Sequence, residues 1–251
     1  ALTEKTVCIY VETPINPTME LVNLQAVVNV ARKHQLKVVV DNTFSSPYLQ
    51  KPLTLGVDFV LHSATKYING HGDVIAGLLV GNDAEEMATI KMSTLKDYGG
   101  IISPFDALLL LRGLKTLPLR MEKHSKNAEQ VIQYLKTEET VEAIYYPFDE
   151  KHPQYELAKE QMTLGGGIIS FTIKGDKKSA QQFMNGLKLI KIAVSLGDAE
   201  TLIQHPATMT HAVVPEEERL QMGITDQLLR LSVGLEHIDD LINDLTTAFE
   251  A

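Results

Sequence analysis

The sequence predicts an α/β fold in two parts, a partial large domain with a mainly parallel sheet and a smaller C-terminal α/β domain. Strand-like and helix-like segments alternate through the first part, as they do in a parallel sheet covered by helices. The run Val38-Val39-Val40 is uninterrupted and apolar, which is typical of a central parallel strand. The pattern changes beyond the segment that contains Pro118, and we place the two domains at residues 1–113 and 114–251.

Hydrophobic periodicity and turn residues define the elements of the first part. An amphipathic helix is predicted where Leu21, Leu24, Val28 and Ala31 recur at helical spacing. The predicted strands are 6–11, 37–41, 57–62 and 75–80, and the predicted helices are 19–34, 47–53, 83–97 and 105–111. Cys8, the single cysteine, falls in the first strand and is expected to be a small buried core residue.

The second part continues with shorter alternating elements. The predicted helices are 121–136, 153–162, 177–187 and 236–250, and the predicted strands are 141–146, 167–173, 191–195 and 228–233. The last helix carries one apolar stripe, which we expect to pack in the core: Ile238, Leu241, Ile242, Leu245 and Phe249.

Composition excludes several classes of function. The chain has 251 residues with a net charge of −9 and no basic run, so nucleic acid and anionic membranes are not expected partners. No apolar stretch is long enough to span a bilayer, and the balance indicates a cytoplasmic protein. The eight histidines show no metal-ligand spacing, so no metal is expected.

The segment from Leu61 to Ile68 is the strongest indication of chemistry. Lys66 follows a strand and lies beside the hydroxyls of Ser63 and Thr65, with Gly70-His71-Gly72 just after it. Such a lysine is suited to a Schiff base with a carbonyl cofactor, and the hydroxyls to holding a phosphate. The alternative interpretation is an ordinary solvated lysine at a strand end.

Asp41 is the second candidate, because it ends the valine strand. Ligands of open parallel sheets bind at the carboxyl ends of the strands, so Asp41 and Lys66 are expected to reach one crevice. A carboxylate there would pair with a protonated pyridine nitrogen and keep the ring an electron sink. The alternative role for Asp41 is a helix cap or a turn residue.

Arg230 lies inside the apolar strand 228–233, where an unpaired charge costs free energy. It is suited to a bidentate grip on a substrate carboxylate, or else it faces solvent on an edge strand. Ser195-Leu196-Gly197-Asp198 ends another predicted strand and is a weaker candidate for the same carboxylate, or else an ordinary glycine turn.

Five ordered runs resemble the Cys/Met-metabolism PLP-dependent enzymes, and the resemblance covers nearly the whole chain. These runs are Glu12-Thr13-Pro14-Ile15-Asn16-Pro17, Val38-Val39-Val40-Asp41-Asn42-Thr43-Phe44, His62-Ser63-Ala64-Thr65-Lys66-Tyr67, Gly70-His71-Gly72-Asp73 and Arg230-Leu231-Ser232-Val233-Gly234-Leu235-Glu236. The resemblance implies PLP fold type I, like aspartate aminotransferase, and pyridoxal 5′-phosphate as the cofactor.

The same resemblance implies a role for each candidate residue. Lys66 would carry the cofactor and move protons, and Asp41 would pair with the pyridine nitrogen. Ser63 and Thr65 would help to bind the phosphate, and Asn16 would lie near the ring. Arg230, Ser195 and the backbone of Leu196 would bind the substrate carboxylate.

Within the family, the runs 194–202 and 205–211 most resemble the methionine-cleaving lyases. The implied reaction is α,γ-elimination of L-methionine to 2-oxobutanoate, methanethiol and ammonia, on a small sulfur-containing amino acid. The alternatives are a cystathionine γ-lyase or an O-acetylhomoserine sulfhydrylase, or a catalytically silent truncated subunit. A homotetramer built of dimers is implied by resemblance alone.

Family members carry a long segment before the point that corresponds to Ala1. That segment supplies the glycine-containing phosphate loop, the tyrosine that stacks on the ring and residues that reach the neighbouring subunit. The chain is therefore expected to be a C-terminal portion that, taken alone, binds the cofactor poorly and catalyses little.

Overall fold

Two β-sheets form the framework of the protein in a computed structural model that describes residues 2–250. The first sheet has the strand order β1-β2-β3-β4, with β1 to β3 parallel and β4 antiparallel to β3. The second has the order β5-β6-β9-β8-β7 and is antiparallel except for the short parallel pair β7 and β8. The first sheet is thus mainly parallel, as the valine-rich strand indicates.

The first sheet and its helices span the N-terminal part of the chain. The strands are β1 (Cys8–Glu12), β2 (Lys37–Asp41), β3 (Phe59–Ser63) and β4 (Gly77–Gly81). The helices are α1 (Leu24–Lys33), α2 (Ser46–Leu49), α3 (Ala84–Ile90), α4 (Lys96–Tyr98) and α5 (Pro104–Leu114), with a 3-10 turn at Pro52–Leu55 and a π-helical turn at Lys91–Leu95 joining α3 to α4.

The second sheet and its helices span the remainder. The strands are β5 (Val141–Tyr145), β6 (Ile168–Ile173), β7 (Lys191–Ile192), β8 (Leu202–Gln204) and β9 (Leu228–Ser232). The helices are α6 (Leu117–Leu135), α7 (Tyr155–Gln161), α8 (Lys177–Gly186), α9 (Glu216–Gln221) and α10 (Ile238–Phe249), with a 3-10 turn at Pro206–Thr208.

The prediction that Cys8 is buried is wrong. Side chains alternate along a strand, and in β1 it is Ile9 and Val11 that pack against the core beneath α1. Cys8 and Tyr10 point to the other face of this edge strand and are exposed.

Two predicted elements are shorter than their sequence patterns suggested. The helix predicted from residue 19 begins at Leu24, because Asn23 caps it by accepting a hydrogen bond from the Ala26 N–H. The strand predicted over 191–195 ends at Ile192. The carbonyl oxygens of Val194 and Ser195 accept hydrogen bonds from Arg230 instead of from a neighbouring strand.

The apolar stripe of α10 packs in the core, as predicted. Leu241 and Leu245 are fully buried in the large cluster between the second sheet and its helices, with Phe249 against Phe183 of α8. Asp244 on the same helix accepts hydrogen bonds from the backbone N–H groups of Lys188 and Ile190, which fixes α10 against the segment before β7.

Side-chain amides join the two parts of the chain. Gln154 bonds both backbone groups of Leu21, and Gln161 bonds the N–H of Leu24 and the carbonyl of Val22. These four bonds hold the loop between β1 and α1 against α7. The boundary between residues 113 and 114 stays a prediction. No helix among the described residues is long and apolar enough to cross a membrane.

Candidate active site

The candidate residues gather at the carboxyl ends of the parallel strands. Asp41 ends β2 and Ser63 ends β3, with Asp41 in register with Leu61 on the neighbouring strand. A turn after β3 carries Thr65 and Lys66. The first sheet therefore presents an amine, a carboxylate and hydroxyls along one edge, as parallel α/β folds do.

Lys66 is half-buried, and its Nζ donates a hydrogen bond to Ser195 Oγ at 3.3 Å. Burial and, to a lesser degree, the positive charge of Arg230 lower the pKa of the Lys66 amine. Both effects disfavour the ammonium form. Lys66 therefore offers more free amine at neutral pH than a surface lysine does.

Asp41 is held by neighbouring donors. Its Oδ1 accepts hydrogen bonds from the hydroxyl of Thr43 at 2.6 Å and from the Thr43 N–H at 3.0 Å. Its Oδ2 accepts one from the hydroxyl of Tyr10 at 3.4 Å. The Thr43 hydroxyl also accepts from the Ser63 N–H at 2.8 Å, so Thr43 joins Asp41 to the end of β3.

Thr43 and Glu12 are site residues that received no role from the sequence. The Asp-x-Thr spacing was a signal for Thr43, because such side chains bond their own backbone two residues on. Glu12 pairs with Asp41 in the register of β1 and β2, and burial together with the nearby Asp41 charge raises the pKa of its carboxyl to about 7. Two adjacent carboxyl groups favour a cation between them.

Arg230 is only 2% exposed and lies on the interior strand β9. Its guanidinium donates to Asn16 Oδ1 at 3.0 Å and to the carbonyl oxygens of Ser195 at 3.0 Å and Val194 at 3.2 Å. Arg230 forms no salt bridge with any of residues 2–250, and burial lowers its pKa to about 10. A buried cation without an acidic partner is suited to an anionic ligand.

The structure joins some of the predicted residues and leaves others apart. Lys66, Ser195, Arg230 and Asn16 form one hydrogen-bonded group. Asp41 and Ser63 are joined through Thr43. The Thr65 hydroxyl accepts a hydrogen bond from the Ala76 N–H and donates one to the Ala76 carbonyl oxygen. These two bonds join the lysine turn to the segment before β4.

Leu196 lies buried beside Tyr67 in a small apolar cluster under the site. The next residue, Gly197, has a φ of +73°, and a Cβ there would lie 2.9 Å from the Tyr67 nitrogen and 3.2 Å from Lys66 Cβ. The loop 195–197 therefore packs directly on the lysine turn, which accounts for the short reach between Ser195 and Lys66. Among residues 2–250, no group of three or more His, Cys, Asp or Glu side chains is placed to hold a metal ion.

Comparison with known proteins identifies the family. Residues 1–250 match the family described as Cys/Met metabolism PLP-dependent enzyme. The chain belongs to this family. It is 51% identical to the L-methionine gamma-lyase of Pseudomonas putida over the whole chain and 63% of that protein, and 46% identical to the cystathionine gamma-lyase of Dictyostelium discoideum over the whole chain and 64% of that protein.

A solved structure of the family superimposes closely on the chain. The crystal structure of cystathionine gamma-lyase from Lactobacillus plantarum complexed with L-serine gives a TM-score of 0.95 at 45% identity, covering the whole chain and 65% of that structure. This likeness confirms the predicted fold class, a partial α/β fold of PLP fold type I. The chain thus spans less than two thirds of the length of these family members.

The side chains at the strand ends fit the cofactor of this family, pyridoxal 5′-phosphate. The cofactor needs an amine with a lowered pKa, and Lys66 provides it. It needs an oriented carboxylate for its pyridine nitrogen, and Asp41 has one held by Thr43 and Tyr10. Ser63, joined to Asp41 through Thr43, adds a hydroxyl at the end of β3 for the phosphate.

Proposed function

We propose that the protein is a PLP-dependent carbon–sulfur lyase that cleaves L-methionine by α,γ-elimination to 2-oxobutanoate, methanethiol and ammonia. The observation that carries the proposal is the group formed by Lys66, Ser195 and Arg230. In this group a half-buried amine of lowered pKa lies beside a buried guanidinium that has no acidic partner among residues 2–250. One group is suited to a carbonyl and the other to a carboxylate, the two functions that an amino-acid lyase must handle together.

Each residue has a defined task in this proposal. Lys66 holds the cofactor through its amine, and Asp41 accepts a hydrogen bond from the protonated pyridine nitrogen. Ser63 contributes to the phosphate site, and Thr65 contributes there by turning its hydroxyl from the Ala76 carbonyl oxygen to the phosphate. When bound, the cofactor supplies an electron sink for charge that develops at the substrate Cα. Arg230 binds the substrate carboxylate, and Asn16 orients the guanidinium through its side-chain oxygen.

Proton transfer is the task of Lys66 once the substrate amine has replaced it. Its free amine takes the Cα proton, and the lowered pKa raises the fraction of that amine that is unprotonated near neutral pH. Ser195 Oγ lies 3.3 Å from Nζ and holds the amine toward the substrate carboxylate site. After passing on that proton, the same amine would take one from Cβ, and the γ-sulfur would leave and be protonated to methanethiol.

The test of the cofactor site is reduction with borohydride in the presence of PLP, followed by peptide mapping. Because the chain taken alone is expected to bind the cofactor poorly, PLP is supplied in large excess and the free cofactor is removed after reduction. Under these conditions we expect a yellow band that disappears on reduction and a covalent adduct on Lys66. The variant Lys66→Ala should lose the adduct, whereas Lys126→Ala, at an exposed lysine of α6, should keep it. A parent chain that stays colourless with added PLP, or an adduct spread over surface lysines, would refute the proposal and favour a catalytically silent subunit.

The choice of substrate needs a separate comparison, because relatives named methionine gamma-lyase and cystathionine gamma-lyase match the chain at similar identity. Turnover of L-methionine, of L-cystathionine, and of O-acetylhomoserine with sulfide should be measured side by side. We expect L-methionine to be preferred. Preference for either other substrate would move the protein to the cystathionine γ-lyases or to the sulfhydrylases.

Assembly into a homotetramer built of dimers and a cytoplasmic location belong to the same proposal. Support for assembly comes from an exposed apolar row on and before α5, the α5 patch, formed by Ile101, Phe105, Leu108 and Leu111. Contiguous exposed apolar side chains of this kind mark interaction surfaces.

A further inference from the structure

Arg120 on α6 is buried against the segment that follows Lys66. Arg120 is only 5% exposed, and its Nη1 donates a hydrogen bond to the Tyr67 carbonyl oxygen at 2.7 Å. Nη2 donates to the Gly113 carbonyl oxygen at 2.9 Å and, at 3.4 Å, to that of Ile68, while Nε donates to Thr116 Oγ1 at 3.0 Å. One guanidinium thus joins the lysine turn to the junction of α5 and α6.

The bonding of Arg120 is unusual for a buried charge. All four acceptors are neutral oxygens, and Arg120 forms no salt bridge with any of residues 2–250. The nearest acidic influence is Asp198, whose charge partly opposes the lowering of the Arg120 pKa by burial. A buried cation costs free energy that a neutral, well-packed side chain would not, so stability alone gives little reason for an arginine here.

The backbone of the lysine turn is shaped around this guanidinium. Gly70 has a φ of +71°, and a Cβ at this position would collide with Arg120 Nη1. On the opposite side, Gly197 packs against Lys66 Cβ and the Tyr67 nitrogen. The segment that carries Lys66 is therefore contacted closely both by Arg120 and by the loop that bears Ser195.

We propose that Arg120 is a positioning residue, which fixes the Lys66 main chain through the Tyr67 and Ile68 carbonyls so that the amine stays beside Ser195. The planar fork of arginine reaches two separate carbonyls at once, which the single ammonium of lysine does not. The inference rests on the proposed role of Lys66 as the cofactor lysine.

The test follows the reactivity of Lys66 itself in the cofactor-free protein. Acetylation of Lys66 by acetic anhydride is measured by peptide mapping from neutral pH to about pH 10. The pH midpoint of the labelling rate reports the ionisation of the amine, and the plateau rate reports its accessibility. In Arg120→Lys and Arg120→Met, we expect a released Lys66 to become better hydrated and its pKa to rise toward the ordinary value. Near pH 8 the labelling rate, relative to its own plateau, should then fall about threefold, which corresponds to about half a pKa unit.

Arg219→Lys is the matched control, because Arg219 is also buried but pairs with Asp226 and the Ile224 carbonyl oxygen. Its Lys66 labelling should equal that of the parent. An unchanged midpoint in Arg120→Lys would overturn the proposal, whether or not its thermal unfolding temperature falls. A shift in Arg120→Met alone would overturn it too, since the charge and not the fork would then be responsible, and so would an equal shift in the control.

Two variants of Arg120 are used in case Arg120→Met does not fold. Arg120→Lys retains the charge, and its Lys66 labelling midpoint tests the proposal without Arg120→Met. Acetylation needs no cofactor. A parent chain that never attaches PLP to Lys66 would therefore refute the proposed function and leave the positioning test intact.

Discussion

At the residue scale, the charge of Arg230 acts on the Lys66 amine inside the same site. Burial lowers the pKa of Lys66, Arg230 lowers it further, and neither side chain forms a salt bridge with any of residues 2–250. An incoming amino acid would bring its carboxylate to Arg230 and neutralise the charge of the guanidinium. Binding of the substrate and the protonation state of Lys66 are thus coupled through Arg230.

Arg230→Lys keeps the positive charge at this position but should still weaken substrate binding. The guanidinium offers two parallel donors to a carboxylate, while the ammonium offers a point charge on a shorter side chain. We expect the dissociation constant for L-methionine to rise at least about tenfold, or ~1.4 kcal/mol. The measurement is a titration of the cofactor absorbance with L-methionine, with Arg219→Lys as the control. Equal affinity in the parent and Arg230→Lys would contradict the carboxylate role.

Glu12 should make stability depend on pH. Its folded pKa of about 7 lies above the ordinary value of 4.5, so folding favours the protonated carboxyl. That contribution is complete below pH 4.5 and is lost as the pH rises through about 7. Glu12→Gln imitates the protonated form. It should therefore exceed the parent in stability at pH 8, by on the order of 1 kcal/mol for a partly exposed group, and by less at pH 5.

Urea unfolding of the cofactor-free protein at the two pH values measures this effect. Glu142→Gln, at an exposed strand position in β5, is the control and should show no pH-dependent gain. A Glu12→Gln variant whose advantage is the same at both pH values would show that the carboxyl is not perturbed.

The sequence alone was sufficient to identify some of the site residues but not all of them. Lys66, Asp41 and Arg230 stand out locally, since a charge at a strand end or inside an apolar strand is unusual. Glu12 can be identified as a site residue only from the strand register, which places it beside Asp41. Arg120 bonds a carbonyl 53 residues away, and its burial could not be predicted from its residue type because an arginine in a helix is ordinarily exposed.

At the element scale, long periodic segments were predictable and short ones were not. The stripe of α10 and the strands β6 and β9 follow from hydrophobic pattern alone. The three-residue strand β8 was missed because a period cannot be read from so few positions. Helix α9 was missed because it opens with three glutamates and has no apolar stripe, although Pro215 and that acidic first turn are helix-start signals.

Packing of α10 sets a stability prediction for this scale. Leu245 is fully buried between α10, α8 and the second sheet, so truncation leaves a cavity that surrounding helices cannot fill. Leu245→Ala should lower the free energy of unfolding by about 2–5 kcal/mol. Denaturant unfolding measures the loss, and Thr247→Ala, on the exposed face of the same helix, should change it by less than about 0.5 kcal/mol.

At the scale of the whole molecule, the α5 patch leaves four large apolar side chains exposed, with Phe105, Leu108 and Leu111 each more than 60% accessible. Phe105, Leu108 and Leu111 are spaced three residues apart, which puts them on one side of α5. A surface of this kind is expected to be covered when chains associate.

The double variant Phe105→Glu with Leu108→Glu should therefore weaken self-association. We expect the dissociation constant between subunits to rise at least about tenfold, because two charges would be buried in an apolar contact. Size-exclusion chromatography with light scattering across a range of protein concentrations measures this. Val30→Glu, at an exposed apolar position of α1, should leave association unchanged. An equal effect of the double variant and Val30→Glu would show that association does not depend on the α5 patch.

The bond between Arg230 and Asn16 spans 214 residues of chain, and that separation governs when the site first exists during synthesis. Translation proceeds at roughly 5–20 residues per second, so on the order of 10–40 seconds pass between the appearance of Asn16 and that of its partner. Throughout that interval Lys66 is present without Arg230, which after burial is the second and smaller cause of its lowered pKa. The Lys66 amine is thus a poorer target for reactive aldehydes until Arg230 has been made and has folded against it.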